Sequence, residues 1–358
     1  MPRRCREPAG GRAAPPLLLL LLAGAARAAR PLRPATPGAG GAALGCLNGA
    51  GQPVDWWVVL KANSGSDYSY LDADGKADGF AAGPGTLAET DNALGHTLQQ
   101  VYAGGDDVGY LMYNDQDPRE KKSYYKAHAK GVYGWGPGGG FWLVHSTPRF
   151  PNFVEDGYQG FPEYAMRYGQ SFLCTTFDLG ALDDVARGQI SNDPMIYDFR
   201  IPAPEATPTL ASLTLKHTPD KGSQTLAATS AGGANLTVFA KNRSWDDYLY
   251  EDLVCETFDR GFRWETWMNG VRPDPTFCRP DHKYDSVNIR TVRISPAHEF
   301  KETQDHSKWG VSIEPAVVCI GDINRQESQN KRGGGTVCIT DDDLWKAFDA
   351  LVGEMDQC

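Results

Sequence analysis

Two triplets, His128-Ala129-Lys130 and His306-Ser307-Lys308, stand 178 residues apart in this chain of 358 residues. Each lies near the start of an apolar, strand-like stretch. Each is followed at similar spacing by a polar residue that ends an apolar run. His145 closes Phe141-Trp142-Leu143-Val144-His145, and Asp322 closes Ala316-Val317-Val318-Cys319-Ile320-Gly321-Asp322. The same pair presented twice describes two related halves meeting at one site. Residues i and i+2 of a strand share a face, so the His and Lys of each triplet address one target together. Two imidazoles and two ammonium groups suffice to cleave a phosphodiester without metal. One imidazole attacks phosphorus, the other protonates the leaving oxygen, and the lysines hold the anionic oxygens. The two histidines then need opposite protonation states, so different surroundings must separate their pKa values.

Outward from the triplets the chain reads as α/β. Val54–Leu60, Val108–Tyr113, Ser171–Phe177, Val287–Ile294, Ala316–Ile320 and Thr336–Ile339 are β-prone runs between turn residues. His128–Trp135 and Phe141–Ser146 form a hairpin or an adjacent pair around Gly136-Pro137-Gly138-Gly139-Gly140. The first half is expected over residues 46–202. A Pro/Ala/Thr/Ser/Gly-rich connection with a little strand character follows over 203–234, and the second half over 235–358. In that half Ser244 and Asp247 are expected to cap a helix carrying Trp245, Tyr248, Leu249, Leu253 and Cys255. Asp341 and its neighbours are expected to cap a last helix, with Leu344, Phe348, Leu351, Val352 and Met355 on its core face.

Residues 1–29 have the form of a secretory leader: arginines, then Leu17–Leu22, then Ala26-Arg27-Ala28. The stretch from there to about residue 45 is Ala/Gly/Pro-rich, so the mature start falls somewhere before Cys46. No apolar run is long enough to cross a membrane. Beyond Cys5, seven dispersed cysteines without Cys-x-x-Cys spacing fit disulfides in an oxidising compartment rather than zinc. One stays unpaired, and Cys255 is the choice. Asn235-Leu236-Thr237 and Asn242-Arg243-Ser244 are glycosylation sequons. The formal charge is −10. Loss of five Arg and one Glu with the leader takes it to about −14, the wrong sign for meeting nucleic acid at neutral pH. An acidic compartment, where histidines charge and carboxylates partly neutralise, suits the balance better.

His96, His217, His282 and His298 lack a lysine two residues on and read as structural or surface groups. Asp55, Asp72, Asp115 and Asp322 read as scattered carboxylates in turns. Lys331-Arg332, before three glycines, reads as a solvated loop, and Lys121-Lys122 as exposed charge. No metal-binding motif and no P-loop is present, and neither metal nor cofactor is expected.

The segments Gly51–Trp56, Leu111-Met112-Tyr113-Asn114-Asp115, His128–Gly131, Gly140–Ser146, Asp305–Trp309, Cys319–Arg325 and Arg332–Thr336 resemble the deoxyribonuclease II family over essentially the whole mature chain. That family is similar to the phospholipase D superfamily, whose pattern is His-x-Lys, a downstream acid, then Gly-Ser-x-Asn. Gly321-Asp322-Ile323-Asn324 resembles the last element, and His145 takes the related place in the first half. The downstream acid is missing. Trp135 stands there in one half and Ile313-Glu314 in the other, with Glu314 the remaining candidate. The resemblance implies a phospholipase D-like α/β fold of two pseudo-symmetric sheet-and-helix halves. It implies a monomer, with a homodimer as the alternative. It implies metal-free endonucleolytic cleavage of double-stranded DNA at acid pH, leaving 3′-phosphates, in lysosomes or outside the cell. His128, Lys130, His306 and Lys308 would be catalytic, supported by His145, Asp322 and Asn324. Disulfides Cys46–Cys174, Cys278–Cys358 and Cys319–Cys338 are also implied. A lipid phosphodiesterase and an inactive DNA-binding protein are the rival readings.

Overall fold

A computed structural model describes residues 43–358; the expected leader, residues 1–29, lies outside them. Ten strands carry the site. In the first half they are β1 (Trp56–Lys61), β2 (Gly109–Tyr113), β3 (Gly131–Gly136), β4 (Gly139–His145) and β5 (Gln170–Phe177). In the second they are β6 (Asn235–Lys241), β7 (Phe262–Glu265), β8 (Trp309–Ser312), β9 (Val317–Gly321) and β10 (Gly334–Thr340). The first set runs β2-β3-β4-β5-β1 within an eight-stranded sheet. The second runs β7-β8-β9-β10-β6 within a seven-stranded one. In each, the strand first in sequence pairs with the strand last in sequence. All these pairings are antiparallel. The protein is thus a mixed α/β structure with several sheets and few helices.

The burial pattern explains why the strands read as continuous apolar runs. Trp56, Val58 and Leu60 point into a core shared with Leu236, Val238, Val318 and Ile320 of the second sheet. The alternate residues Trp57 and Val59 point the other way, into a core with Leu94, Leu98 and Val101. These come from a helix over Ala93–Tyr102 that is capped by Asn92 Oδ1 on the Gly95 N–H at 2.9 Å. A third cluster, including Phe239, Trp264 and Cys319, covers the outer face of the second sheet. Both sheets are therefore buried on both faces, which removes the period-two alternation of a half-exposed strand.

Several local expectations give way. Residues 203–234 hold more than a connection: Ser223–Thr229 is the edge strand beside β6, so the second sheet begins before residue 235. Its exposed Ser/Gln/Thr/Ala sequence carries little strand signal. The helix expected from Ser244 starts only at Leu249 and opens as a π-helical turn to Cys255. Asn242 Oδ1 takes both the Ser244 N–H (3.0 Å) and its Oγ–H (2.8 Å), which closes a turn instead of a cap. The run Val287–Ile294 divides into strands Ser286–Asn288 and Thr291–Ser295. The last helix, Asp342–Asp349, is capped by Asp341 but ends before Leu351, Val352 and Met355.

Disulfides join Cys46 to Cys174, Cys278 to Cys358 and Cys319 to Cys338, and Cys255 is buried and free. Among the described residues no helix is long and apolar enough to cross a membrane. The two sequons stand differently. Asn235 is exposed at the start of β6. Asn242 is buried, and its amide nitrogen donates to the Ser191 carbonyl at 2.9 Å. A glycan on that nitrogen would remove the bond and force the chain outward. Secreted protein should therefore lose one glycan's mass on Asn235→Gln and none on Asn242→Gln, read by gel shift with and without glycosidase.

Candidate active site

Neither triplet lies within a strand. Each occupies the segment leading in, with Lys130 next to Gly131 of β3 and Lys308 next to Trp309 of β8. Alternation still holds along each segment. Ala129 and Ser307 are buried away from the opening, while His128, Lys130, His306 and Lys308 all line one cavity of about 610 Å³. The backbone explains how residues so far apart arrive together. The His128 N–H donates to the Gly333 carbonyl at 2.8 Å, and the His306 N–H donates to the Gly169 carbonyl at 2.9 Å. Each triplet is thus pinned to the residue just before a strand of the opposite half, β10 for His128 and β5 for His306. Both acceptors are glycines at close approaches. A Cβ on Gly333 would run into the Asn192 carbonyl, and one on Gly169 into the Asp305 carboxylate.

The register fixes which residues correspond. The His145 N–H donates to the Lys130 carbonyl (3.2 Å), as the Gly321 N–H does to that of Lys308 (2.9 Å). Next along, the Ser146 N–H donates to Ser171 O and the Asp322 N–H to Gly335 O, both at 3.0 Å. The counterpart of Asp322 is therefore Ser146, one residue on from His145. His145 does not line the cavity. Its ring is buried against Phe172 and Phe150, and its Nδ1 accepts the Thr147 N–H at 3.2 Å. Asp322 acts from behind: its backbone oxygen is 2.7 Å from His128 Nδ1, and its carboxylate accepts the Lys130 N–H at 3.3 Å. Asn324 lines the cavity.

The missing acid does not come from the expected places. Trp135 is in the core and Glu314 is exposed in the turn at the far end of β8, because the strand carries that position away from Lys308. The carboxylate beside the first triplet belongs to Asp115. Tyr113 of β2 pairs with Gly131, which sets Asp115 alongside Lys130. Asp115 Oδ1 is 2.7 Å from Lys130 Nζ, and its Oδ2 is 3.2 Å from Arg332 Nη1 and 4.0 Å from His128 Nε2. Burial pushes this carboxyl up, but Lys130, His128 and Arg332 outweigh it and hold it well below the usual range. Arg332 is no solvated loop residue. It crosses from the second half and also donates to the carbonyls of Ser123, Lys126 and Ala127. In the second half Glu265 pairs with Trp309 as Tyr113 does with Gly131, so the position matching Asp115 is Trp267. The Trp267 ring meets His306 edge-on and Tyr168 stacks on it, both at 4.3 Å between centroids. Sequence reading gave Tyr168, Gln170 and Trp267 no role; only strand register could have brought them forward.

The two imidazoles therefore sit in unlike places. Burial lowers both, helped by the lysines. His306 falls to about 3, while for His128 the Asp115 carboxylate works in the opposite direction. Burial, with Lys130 adding, lowers Lys308 to about 7, and burial raises Asp322 to about 7. Lys122, Arg243 and Lys331 add cations at the rim. Among the described residues no group of three or more His, Cys, Asp or Glu is placed to hold a metal ion. This donor set suits the phosphates of a polyanionic chain.

The deoxyribonuclease II family pattern matches residues 45–358. Deoxyribonuclease-2-alpha of Rattus norvegicus is 34% identical over 334 residues, covering 88% of this chain and 95% of that protein. The Sus scrofa protein of the same name is 33% identical, covering 88% and 91%. Plancitoxin-1 of Acanthaster planci is 33% identical, covering 88% and 93%. The chain belongs to the deoxyribonuclease II family and is a nuclease enzyme.

Two consequences can be measured. An unfolded histidine protonates near 6.5 but folded His306 only near 3, so the unfolded state binds the extra proton between these values. Stability from this group is full above about 6.5 and is lost as pH falls. On going from pH 7 to 4.5, wild type should lose about 2 kcal/mol more than His306→Gln, read by urea unfolding. Gly333→Ala should cost about 1–3 kcal/mol through overpacking against Asn192, and it should depress turnover by moving His128, read by melting and kcat together.

Proposed function

We propose that this nuclease is an acid endodeoxyribonuclease of phospholipase D-like architecture. It hydrolyses double-stranded DNA without a divalent metal through a phosphohistidine and leaves 3′-phosphate ends. A secretory leader, disulfides and an acidic chain point to lysosomes, with secretion as the alternative address. The observation that carries the reading is the convergence of both imidazoles and both ammonium groups on one cavity, with Nδ1 of each ring engaged by the protein and Nε2 of each left for the substrate.

The tautomers follow from the partners. A carbonyl can only accept, so His128 Nδ1 carries the proton toward Asp322 O, and the Nε2 lone pair is free to attack phosphorus. At His306 the neighbour of Nδ1 is the Gln170 amide nitrogen, 3.4 Å away. Gln170 is turned this way because its Oε1 accepts the Ser146 Oγ–H at 2.6 Å, while Ser146 Oγ accepts the Ser171 N–H. The His306 proton therefore sits on Nε2. A bound phosphate supplies the negative charge the empty cavity lacks and favours uptake of a second proton, which Gln170 receives by presenting its oxygen. The His128 Nε2–P bond then forms as the P–O5′ bond breaks, and His306 Nε2–H protonates the departing oxygen. Water next attacks phosphorus with neutral His306 taking its proton. The P–N bond breaks, and His128 is restored beside a 3′-phosphate. Lys130 and Lys308 hold the non-bridging oxygens, and Asp115 and Arg332 fix Lys130.

This scheme ties turnover to acid. Below pH 7, Lys308 is charged and Asp322 neutral; above it Lys308 loses its proton and Asp322 gains a charge. The cavity thus becomes two units less positive. Above about pH 7 the fall of log kcat/KM with pH should be one unit steeper for wild type than for Asp322→Asn. In EDTA at pH 5, wild type should nick supercoiled plasmid, and His128→Ala and His306→Ala should each lose about 10⁴-fold or more while melting normally. Full cutting by either variant, or abolition of wild-type cutting by EDTA, would refute the shared metal-free centre. DNA binding without nicking would establish an inactive binder.

A further inference from the structure

Tyr124 and Tyr125 are among the most exposed large side chains of the molecule, at 69% and 74%. They stand on the loop between β2 and β3, four and three residues before His128, and both line the cavity that holds the two histidines. Exposed aromatic rings on a loose loop would mean little. This loop is fastened at both ends. Ser123 N–H donates to Asp115 O, the Lys126 ammonium pairs with Asp193, and Arg332 donates to the carbonyls of Ser123, Lys126 and Ala127. The backbone is rigid where the side chains are bare, the combination of a prepared contact surface. Each ring has a cation close by. Lys122 Nζ is 4.8 Å from the Tyr124 centroid, and Arg243 Cζ, from the second half, is 5.3 Å from that of Tyr125.

We infer that Tyr124 and Tyr125 form a stacking subsite for an unpaired nucleobase on the nucleotide next to the scissile phosphate, with Lys122 and Arg243 receiving its flanking phosphates. This rests on the proposed cleavage of DNA and adds a requirement to it. Three residues of chain span at most about 10 Å, so the rings lie within a nucleotide or two of His128. An aromatic face accepts any base, which gives affinity without sequence reading, and a cation lying on the ring can move to a phosphate as the base arrives. A base stacked in a duplex cannot reach a protein ring unless it leaves the stack. The strand being cut must therefore be locally opened, and duplexes that open easily at the cut should be better substrates.

The test uses an oligonucleotide duplex with one readily cleavable phosphodiester, the other linkages of that strand being phosphorothioates, which keep the flanking negative charges. The nucleotide next to the cleavable linkage is either normal or abasic. The protein is used as wild type and as Tyr124→Leu/Tyr125→Leu, which keeps apolar bulk without a π-face. Wild type should cut the normal substrate about 10- to 100-fold better than the abasic one in kcat/KM. The double variant should cut both at the wild-type abasic rate. In parallel, 2-aminopurine placed at that position as an unpaired, bulged base should be quenched on binding His306→Ala and stay bright on binding His306→Ala combined with Tyr124→Leu and Tyr125→Leu. Equal cutting of both substrates by wild type would overturn the subsite. So would a double variant that keeps the preference, or one that loses activity equally on both. Failure of wild type to cut either duplex, while still quenching 2-aminopurine in the His306→Ala background, would count against cleavage rather than stacking.

Discussion

Two backbone hydrogen bonds hold this protein's chemistry together: His128 N–H to Gly333 O and His306 N–H to Gly169 O. Each crosses between the halves, and each ties a histidine-bearing segment to the residue just before a strand of the other half, β10 or β5. Backbone groups are obligatory partners when buried, so neither segment can settle without the other half in place. The half-sites are completed by exchange, not by two finished surfaces touching. The glycine acceptors belong to the same constraint. A Cβ on Gly169 would meet the Asp305 carboxylate beside His306, and one on Gly333 the Asn192 carbonyl of the first half, so neither position has room for a side chain.

Within that two-fold frame the side chains differ, and the differences do the chemical sorting. Asp115 and Trp267 take equivalent register positions, yet one gives a carboxylate beside His128 and the other an aromatic edge against His306. Ser146 and Asp322 are likewise equivalent. Ser146 orients Gln170 toward His306, whereas Asp322 presents its carbonyl to His128. A symmetric backbone delivers two imidazoles to one cavity, and in the proposed mechanism asymmetric neighbours leave Nε2 bare on one and protonated on the other. A true homodimer with the same fold would have to break that equivalence on binding; a fused pair builds it in.

The sequence made the triplets visible because a His-x-Lys unit beside an apolar run is a local signal, and strands buried on both faces read as apolar stretches whatever they pack against. Asp115 was hidden for the opposite reason. It precedes His128 by thirteen positions, and only the pairing of Tyr113 with Gly131 sets it beside Lys130. Gly169 and Gly333 act through carbonyls, which leave no mark on residue type. His145 was read as the partner position of Asp322 because run lengths were compared, and a one-residue offset is invisible until the ladder is known. Ser244 was read as a cap because the pattern ignores that Asn242 reaches its N–H and hydroxyl first. The disulfide pairs came from family resemblance alone, since seven dispersed cysteines do not dictate their own connectivity.

Charge brings the frame and the sorting together. An acidic chain must still bring a polyanion to a buried centre, and it does so by concentrating cations where the halves meet. Lys130, Lys308 and Arg332 lie inside, with Lys122, Arg243 and Lys331 at the rim. Burial is what makes this concentration sensitive to pH. The same desolvation that lowers Lys308 raises Asp322, so both move toward neutrality and both respond near pH 7. Had the cavity been open to water, Lys308 and Asp322 would titrate far apart, and neither would change its charge much between pH 5 and pH 8. The depth that shields the histidines thus also brings Lys308 and Asp322 within reach of mild acid, at the place where the two halves of the chain cross.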